Sequence, residues 1–489
     1  MSEGQTRGEV AAISIGRFVR FLFLSLLLEL VVLHWVILAF DLPYLNGTFG
    51  WFWNRRSPPL DWAWLLLPVA AVTFGVAFVT LRFPKRVALN LTLLVALGYL
   101  LQHGFARMEG QGLHAMRNRA LNTGHSELIL DAIERPDLLS TLRDYDALVL
   151  SDELGPLCWT KPPGQLGFYI VNERISRMGD FAQTAGGRLD SFATHAAWVW
   201  PLLASLTAVP LFFLSRRVLG DESAYAPALL YLVCPNVVLI NLHLDQVLFP
   251  LLLTTTLWLW LMALESRRIG LGLGLGALAG ALAFVGAYIS FAMLTALPLV
   301  ALLGLSPLAR GGPPRRPLFP HLHAALDFVI GWSVLHTCAA VFLNFSIIAQ
   351  FSRAIEYHAT WRWPIRNWHE RIHWGLLHLL EFSLWSGIIV AGLALVGLGA
   401  ALHALRHRRL DLAGLLTLSF AVVVLQVSFY SGSRGEVGRL FLLLVPPLCI
   451  AAVAGMRCWP VHQRNALLLL AVAVQLATTF VTKRFQDFF

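Results

Sequence analysis

Residues 158–164 read Cys158-Trp159-Thr160-Lys161-Pro162-Pro163-Gly164. Two prolines and a glycine after the lysine cannot continue a helix, because proline locks φ and lacks an N–H. The stretch closes a polar segment, about 106–196, and apolar runs flank that segment on both sides. It therefore reads as a rigid cationic turn just outside a membrane. A fixed cation at that depth suits a phosphate carried on a lipid.

Outward from this turn, apolar sequence dominates. Of 489 residues, 57% are hydrophobic and 13% are charged, against roughly 25% charged in a soluble domain. Apolar runs long enough to span a bilayer recur along the whole chain, which predicts an all-α polytopic membrane protein. The spacing predicts about 13 transmembrane helices, at about 18–40, 61–81, 87–105, 197–214, 224–240 and 247–264, two within 270–306 joined near Gly286, then 325–345, 377–402, 413–430, 440–456 and 465–482. The first run shows no cleavage signal and is expected to be retained. The whole chain, 1–489, reads as one integral-membrane module, with 106–196 as a large loop inside it.

The net charge of +9 sits in short clusters between the runs. Arg82-Lys85-Arg86, Arg216-Arg217, Arg267-Arg268, Arg406-Arg408-Arg409 and Arg457-Arg464 all fall on one side, expected to be cytoplasmic. This distribution argues for a bilayer and against a nucleic-acid partner. The long loop then lies outside a cell (inner) membrane. Lys483 and Arg484 fall on the outside too, against the rule. The five cysteines show neither metal spacing nor a disulfide framework.

Ionisable residues are few inside the runs, Glu29 and Glu381 being the clearest. They collect instead in the expected outside segments. The long loop holds Glu109, Glu127, Asp152, Glu153 and Lys161. Leu128, Ile129, Ala132 and Ile133 recur there at helical spacing, as in a helix lying at the interface. His243-Leu244-Asp245-Gln246 joins two runs. Glu356, His358, Trp361, Trp363, Arg366 and Trp368 crowd a third segment, and Arg434, Glu436 and Arg439 a fourth. The run Gly270-Leu271-Gly272-Leu273-Gly274-Leu275-Gly276 has no preceding strand and reads as small-residue helix packing.

Together these pieces resemble the GT-C superfamily of membrane glycosyltransferases, which includes protein O-mannosyltransferases and the aminoarabinose transferases of lipid A. The resemblance implies hexosyl or pentosyl transfer from a polyprenyl-phosphate-linked sugar to an acceptor glycan, lipid or protein, with inversion. Glu127, in Thr123-Gly124-His125-Ser126-Glu127, looks like the acidic position, with Asp152, Glu153 and Glu109 as alternatives. Lys161 looks like the phosphate-contacting turn, and Arg434 and Arg439 like a late cationic element near the same phosphate. Asp245, His358, Trp363 and Glu436 look like sugar- or acceptor-binding residues. His125-Ser126-Glu127 stands where the family usually has a pair of acids, and three runs precede the long loop where one is usual.

In physical terms, such a transfer needs a carboxylate to take the acceptor proton, in-line geometry, and fixed cations for the departing phosphate. No nucleotide pocket or cofactor is expected. A divalent cation on Asp152, Glu153 and Asp245 is an option that no ligand spacing supports. A transporter or flippase for a lipid-linked saccharide is the alternative. The absence of an inverted repeat in the sequence counts modestly against it.

Overall fold

The computed structural model describes residues 3–42, 57–121, 126–135, 137–178, 184–266, 268–306, 318–361, 365, 367–430 and 435–486. Among these residues no strand occurs. Helices α1 (Glu3–Ala39), α2 (Leu66–Arg82) and α3 (Val87–Arg107) open the chain. The long loop contributes α4 (Leu113–Leu121), α5 (Ser126–Glu134), α6 (Leu138–Arg143), α7 (Tyr145–Leu150) and α8 (Pro163–Arg177). The middle is built from α9 (Ala185–Ser205), α10 (Ala208–Leu219), α11 (Ala226–Leu232), α12 (Pro235–Leu239), α13 (Leu244–Val247), α14 (Phe249–Glu265), α15 (Ile269–Ile289), α16 (Leu297–Leu303), α17 (Leu318–Leu343) and α18 (Ile347–Trp361). The last part comprises α19 (Trp368–Ser386), α20 (Ile388–Arg406), α21 (Leu412–Tyr430), α22 (Val437–Leu440), α23 (Val445–Met456) and α24 (Val461–Phe485).

Among the described residues, ten helical stretches are long and apolar enough to cross a bilayer, from Phe18–Ala39 to Val461–Phe485. Shorter apolar pieces fill the other expected crossings: Phe291–Leu303, Leu442–Met456 and the α11–α12 pair. Three helix breaks differ from expectation, each for a local reason. Pro235 supplies no N–H and holds Cys234 extended at ψ 134°, so the expected span at 224–240 divides into α11 and α12. The turn expected near Gly286 lies at Ser290, whose hydroxyl accepts the Ala292 N–H at 3.3 Å and starts the next helical segment. The span expected at 377–402 is two helices, α19 and α20, joined at Gly387 with φ 92°.

Polar contacts sort the helix ends into two groups. At one end Arg217 pairs with Glu265, Arg457 lies 3.5 Å from Asp411, and the Tyr225 hydroxyl donates to Pro84 O at 2.9 Å. At the other, Arg484 donates to Pro58 O at 3.0 Å, Arg371 to Phe429 O at 3.1 Å, and Lys483 pairs with Glu109. The last helix therefore ends beside the long loop. Lys483 and Arg484 break the charge rule because each has a fixed partner there.

The long loop folds as a body rather than lying flat. Leu128, Ile129, Ala132 and Ile133 of α5 are buried, as expected for an apolar stripe, but so is Asp131. Helix α5 packs against α8 and α9, so its stripe faces protein. Helix α8 in turn packs on α15.

Helices α15 and α17 approach until their backbones touch. A Cβ on Gly331 would sit 1.9 Å from Ala277 O, and one on Gly280 would sit 1.9 Å from Phe328 O. The glycine run at 270–276 belongs to this packing only at its end, where a Cβ on Gly276 would sit 2.9 Å from Ala324 O. Gly331→Ala should therefore destabilise the protein in detergent by about 1–3 kcal/mol. Gly274→Ala, where an added Cβ meets nothing within 4 Å, should be neutral or stabilise by about 0.5–1 kcal/mol. Equal thermal shifts for the two variants would contradict the close approach.

Candidate active site

The Lys161 turn is held from beneath. Residues Pro156–Thr160 form a 3-10 turn, and Pro162 is extended (φ −77°, ψ 158°) before Pro163 opens α8. Proline suits that first helical position because its missing N–H would have no partner there. The buried Tyr145 hydroxyl lies 3.0 Å from Cys158 O and 2.9 Å from Lys161 O and shares its proton between them. Asp131 accepts the Gly155 N–H at 3.2 Å and lies 3.7 Å from the Cys158 sulfur. Burial raises the Asp131 carboxyl above its ordinary range, against the pull of these two donors. Glu127 accepts the Leu157 N–H at 3.4 Å. Beyond the lysine, a Cβ on Gly164 would meet Tyr288 O at 2.4 Å, so only glycine lets α8 start this close to α15.

A second element forms between α12 and α13 and at α22. His243 Nδ1 lies 2.9 Å from Asp245 Oδ2, and Arg439 Nη1 lies 2.7 Å from His243 Nε2. A guanidinium can only donate. Its contact therefore fixes the tautomer: Nε2 accepts from Arg439, which leaves the proton on Nδ1, 2.9 Å from Asp245 Oδ2. Arg439 Nη1 also stands 3.5 Å from Asp245 Oδ2, and Nη2 donates to Glu436. Burial pushes the His243 pKa below its ordinary value, and the Arg439 charge acts the same way, against the pull of Asp245. Two non-glycine residues here adopt left-handed backbone, Leu242 at φ 61° and Glu436 at φ 61°. Such strain, of order 1–2 kcal/mol per residue, persists where surrounding contacts over-determine the backbone.

The two elements lie within electrostatic range of each other. The Lys161 ammonium acts electrostatically on both His243 and Asp245. Tyr169, two turns along α8, lies within reach of Asp245 and Arg439. Residues from the long loop, the 241–246 corner and the late turn thus form one charged cluster.

A buried ion cluster braces the other side of the corner. Glu109, just past α3, pairs with Arg119 at 2.5 Å and with Lys483 of α24. Arg119 reaches on to Asn241 Oδ1 at 3.2 Å and Leu239 O at 3.3 Å. The Lys483 side chain is 0% exposed.

The other candidates spread around this centre. Glu127 lies under the turn that carries Lys161, while Asp152 and Glu153 are exposed and Glu153 pairs with Arg135 at 2.8 Å. His358 lies on α18, whose Tyr357 stacks on Trp159 at 5.1 Å, two residues before Lys161. Arg434 and Trp363 lie outside the described residues. Among the described residues, no group of three His, Cys, Asp or Glu side chains is placed to hold a metal ion. Sequence reading did not single out Arg119 as a site residue, and saw Lys483 only as a breach of the charge rule. That breach was the available signal.

A family model of dolichyl-phosphate-mannose-protein mannosyltransferases matches residues 178–348. The match covers about a third of the chain and marks a similarity to these membrane glycosyltransferases. It takes in the 241–246 corner and leaves Lys161 and Arg439 outside. No curated protein matches the chain. Among solved structures, the chain is similar to the Archaeoglobus fulgidus oligosaccharyltransferase crystallised with a tethered acceptor peptide, at 12% identity and a TM-score of 0.44. That likeness covers 66% of this chain and 46% of the archaeal one, so this chain spans less than half of that relative's length.

Two measurements check this geometry. The fold keeps His243 neutral, so below pH 6.5 the unfolded chain takes up a proton that the folded chain refuses. Stability should then rise with pH through that window, and His243→Gln should flatten the slope there. Equal slopes would remove His243 from the account. Lys483→Met should cost about 3–5 kcal/mol by stranding Glu109. Adding Glu109→Gln should recover part of that loss in a double-mutant cycle, whereas additive losses would refute the pairing.

Proposed function

We propose that this protein transfers a sugar from a polyprenyl phosphate to an acceptor hydroxyl at the face that carries the long loop, with inversion at the anomeric carbon. The observation that supports the proposal is that Arg439 contacts the His243–Asp245 pair and the Lys161 charge acts on both members of that pair. These charges come from segments far apart in sequence, and each is positioned by contacts that pure packing would not require. The clustering of arginines at the opposite end supports an extracytoplasmic address for the site.

In this reading Lys161 and Arg439 hold the phosphate, one as a point charge and the other as a planar fork. Arg434 joins them. As the bond to the anomeric carbon breaks, negative charge grows on the departing phosphate, and these cations stabilise it where water is scarce. Asp245, His358, Glu436 and Trp363 bind sugar or acceptor hydroxyls and ring faces. The acceptor proton goes to a carboxylate. Glu109 is the favoured base, because Arg119 links it to the corner through Asn241. Glu127 then acts on the Lys161 turn rather than on the acceptor.

The test is release of free polyprenyl phosphate from polyprenyl-phosphate sugars by the purified protein. Lys161→Ala and Arg439→Ala should each weaken donor binding, since a charge-assisted hydrogen bond contributes about 1.5–3 kcal/mol, or roughly tenfold to a hundredfold in affinity. Glu109→Gln should abolish turnover while donor binding persists. Absence of turnover with every donor tried, together with movement of lipid-linked sugar across liposomes, would replace the transferase with a flippase.

A further inference from the structure

Arg439 sits on a helix of four residues, α22, which cannot orient itself. A single helical turn fixes many dihedrals for one hydrogen bond and is unfavourable alone. The residue that starts it, Glu436, is in left-handed backbone at φ 61°. Something outside α22 must hold the peptide that aims the guanidinium.

The preceding residue, Gly438, is gripped on both sides of its backbone. Its N–H donates to Glu381 Oε1 of α19 at 3.1 Å, and its carbonyl accepts from Asn236 Nδ2 of α12 at 3.3 Å. Trp385, one turn after Glu381, closes the third side: a Cβ on Gly438 would lie 2.6 Å from Trp385 Cγ. Glu381 and Asn236 are both fully buried. Gln475 of α24 donates to Ser386 O at 2.7 Å, and Asn236 lies 3.4 Å from Ser386 Oγ, so the grip is tied to one further helix, α24. A buried carboxylate in an apolar helix is costly. Packing alone would place a leucine there, as it does at the buried Leu384.

We infer that Glu381 and Asn236 are positioning residues that set the aim of Arg439 by clamping the Gly438 peptide. The inference rests on the proposed role of Arg439 in holding the donor phosphate. Neither residue touches the donor. Each acts through a backbone group next to the cation.

The experiment uses the full-length protein in detergent with a polyprenyl phosphate as probe. It compares wild type with Arg439→Ala, Glu381→Leu, Glu381→Gln, Asn236→Ala and the Glu381→Leu/Arg439→Ala double variant. Glu381→Leu should weaken binding about as much as Arg439→Ala, roughly tenfold or more, and the double variant should lose little beyond either single one. Glu381→Gln keeps the acceptor oxygen and should bind within about threefold of wild type, a loss of less than half the 1.4 kcal/mol of a tenfold change. Wild-type binding by Glu381→Leu, full additivity in the double variant, or no rescue by glutamine would overturn the inference. If Glu381→Leu does not fold, wild-type binding by Asn236→Ala overturns it.

A second readout does not depend on lipid binding. The His243 Nε2 nitrogen resonance, assigned by its loss in His243→Gln, reports the hydrogen bond from Arg439. It should move in Asn236→Ala and Glu381→Leu towards its position in Arg439→Ala. If wild type binds no polyprenyl phosphate, the functional reading falls and this resonance alone decides the clamp. An unmoved resonance refutes it.

Discussion

Arg439 is a cation only 13% exposed, and most of the charged cluster follows from how it is satisfied. A guanidinium taken from water needs acceptors in fixed places, or its desolvation is not recovered. Here it finds Glu436 on its own turn, Asp245 across the corner and the Nε2 of His243. Those demands determine the histidine tautomer, which in turn orients Asp245. They also hold Leu242 and Glu436 in backbone conformations that neither residue favours. The strain sits where the charges meet.

Around that centre the same device recurs: a polar side chain holds the backbone beside a charged residue. Tyr145 holds the carbonyls of Cys158 and Lys161, and Asp131 holds the amide of Gly155 below them. Arg119 holds the corner through Leu239 O and Asn241. The proposed transfer would benefit from such preorganisation, because nothing then has to reorganise when charge develops on the departing phosphate. Close helix contacts serve the same end. Gly164 admits Tyr288 O, and Gly331 admits Ala277 O, so the frame behind the lysine has little room to yield.

Part of this charged cluster was legible in the residues. Lys161-Pro162-Pro163-Gly164 announced a rigid turn, because proline and glycine act through their own covalent geometry. Asp245 and Arg439 stood at ends of apolar runs, where polar residues have reason to gather. The choice among acids was not legible. Glu127, Asp152, Glu153 and Glu109 share a polar loop, and composition does not separate them. Only packing puts Glu127 under the Leu157 amide and Glu109 between Arg119 and Lys483. The amphipathic stripe of α5 was read correctly as apolar, but whether it faced lipid or protein depended on where α8 and α9 lay.

The chain by itself determined a many-spanning helical membrane protein with one large polar loop and a clear sidedness of arginines. In hydrocarbon every backbone N–H and C=O must be paired within the segment, so long apolar runs have no alternative to helices. Tertiary structure alone decided which charges become neighbours. Glu109 and Lys483 are 374 positions apart and Arg439 and His243 are 196 apart. Pairing over such distances is set by which helix faces pack together, and no local pattern of residues encodes that.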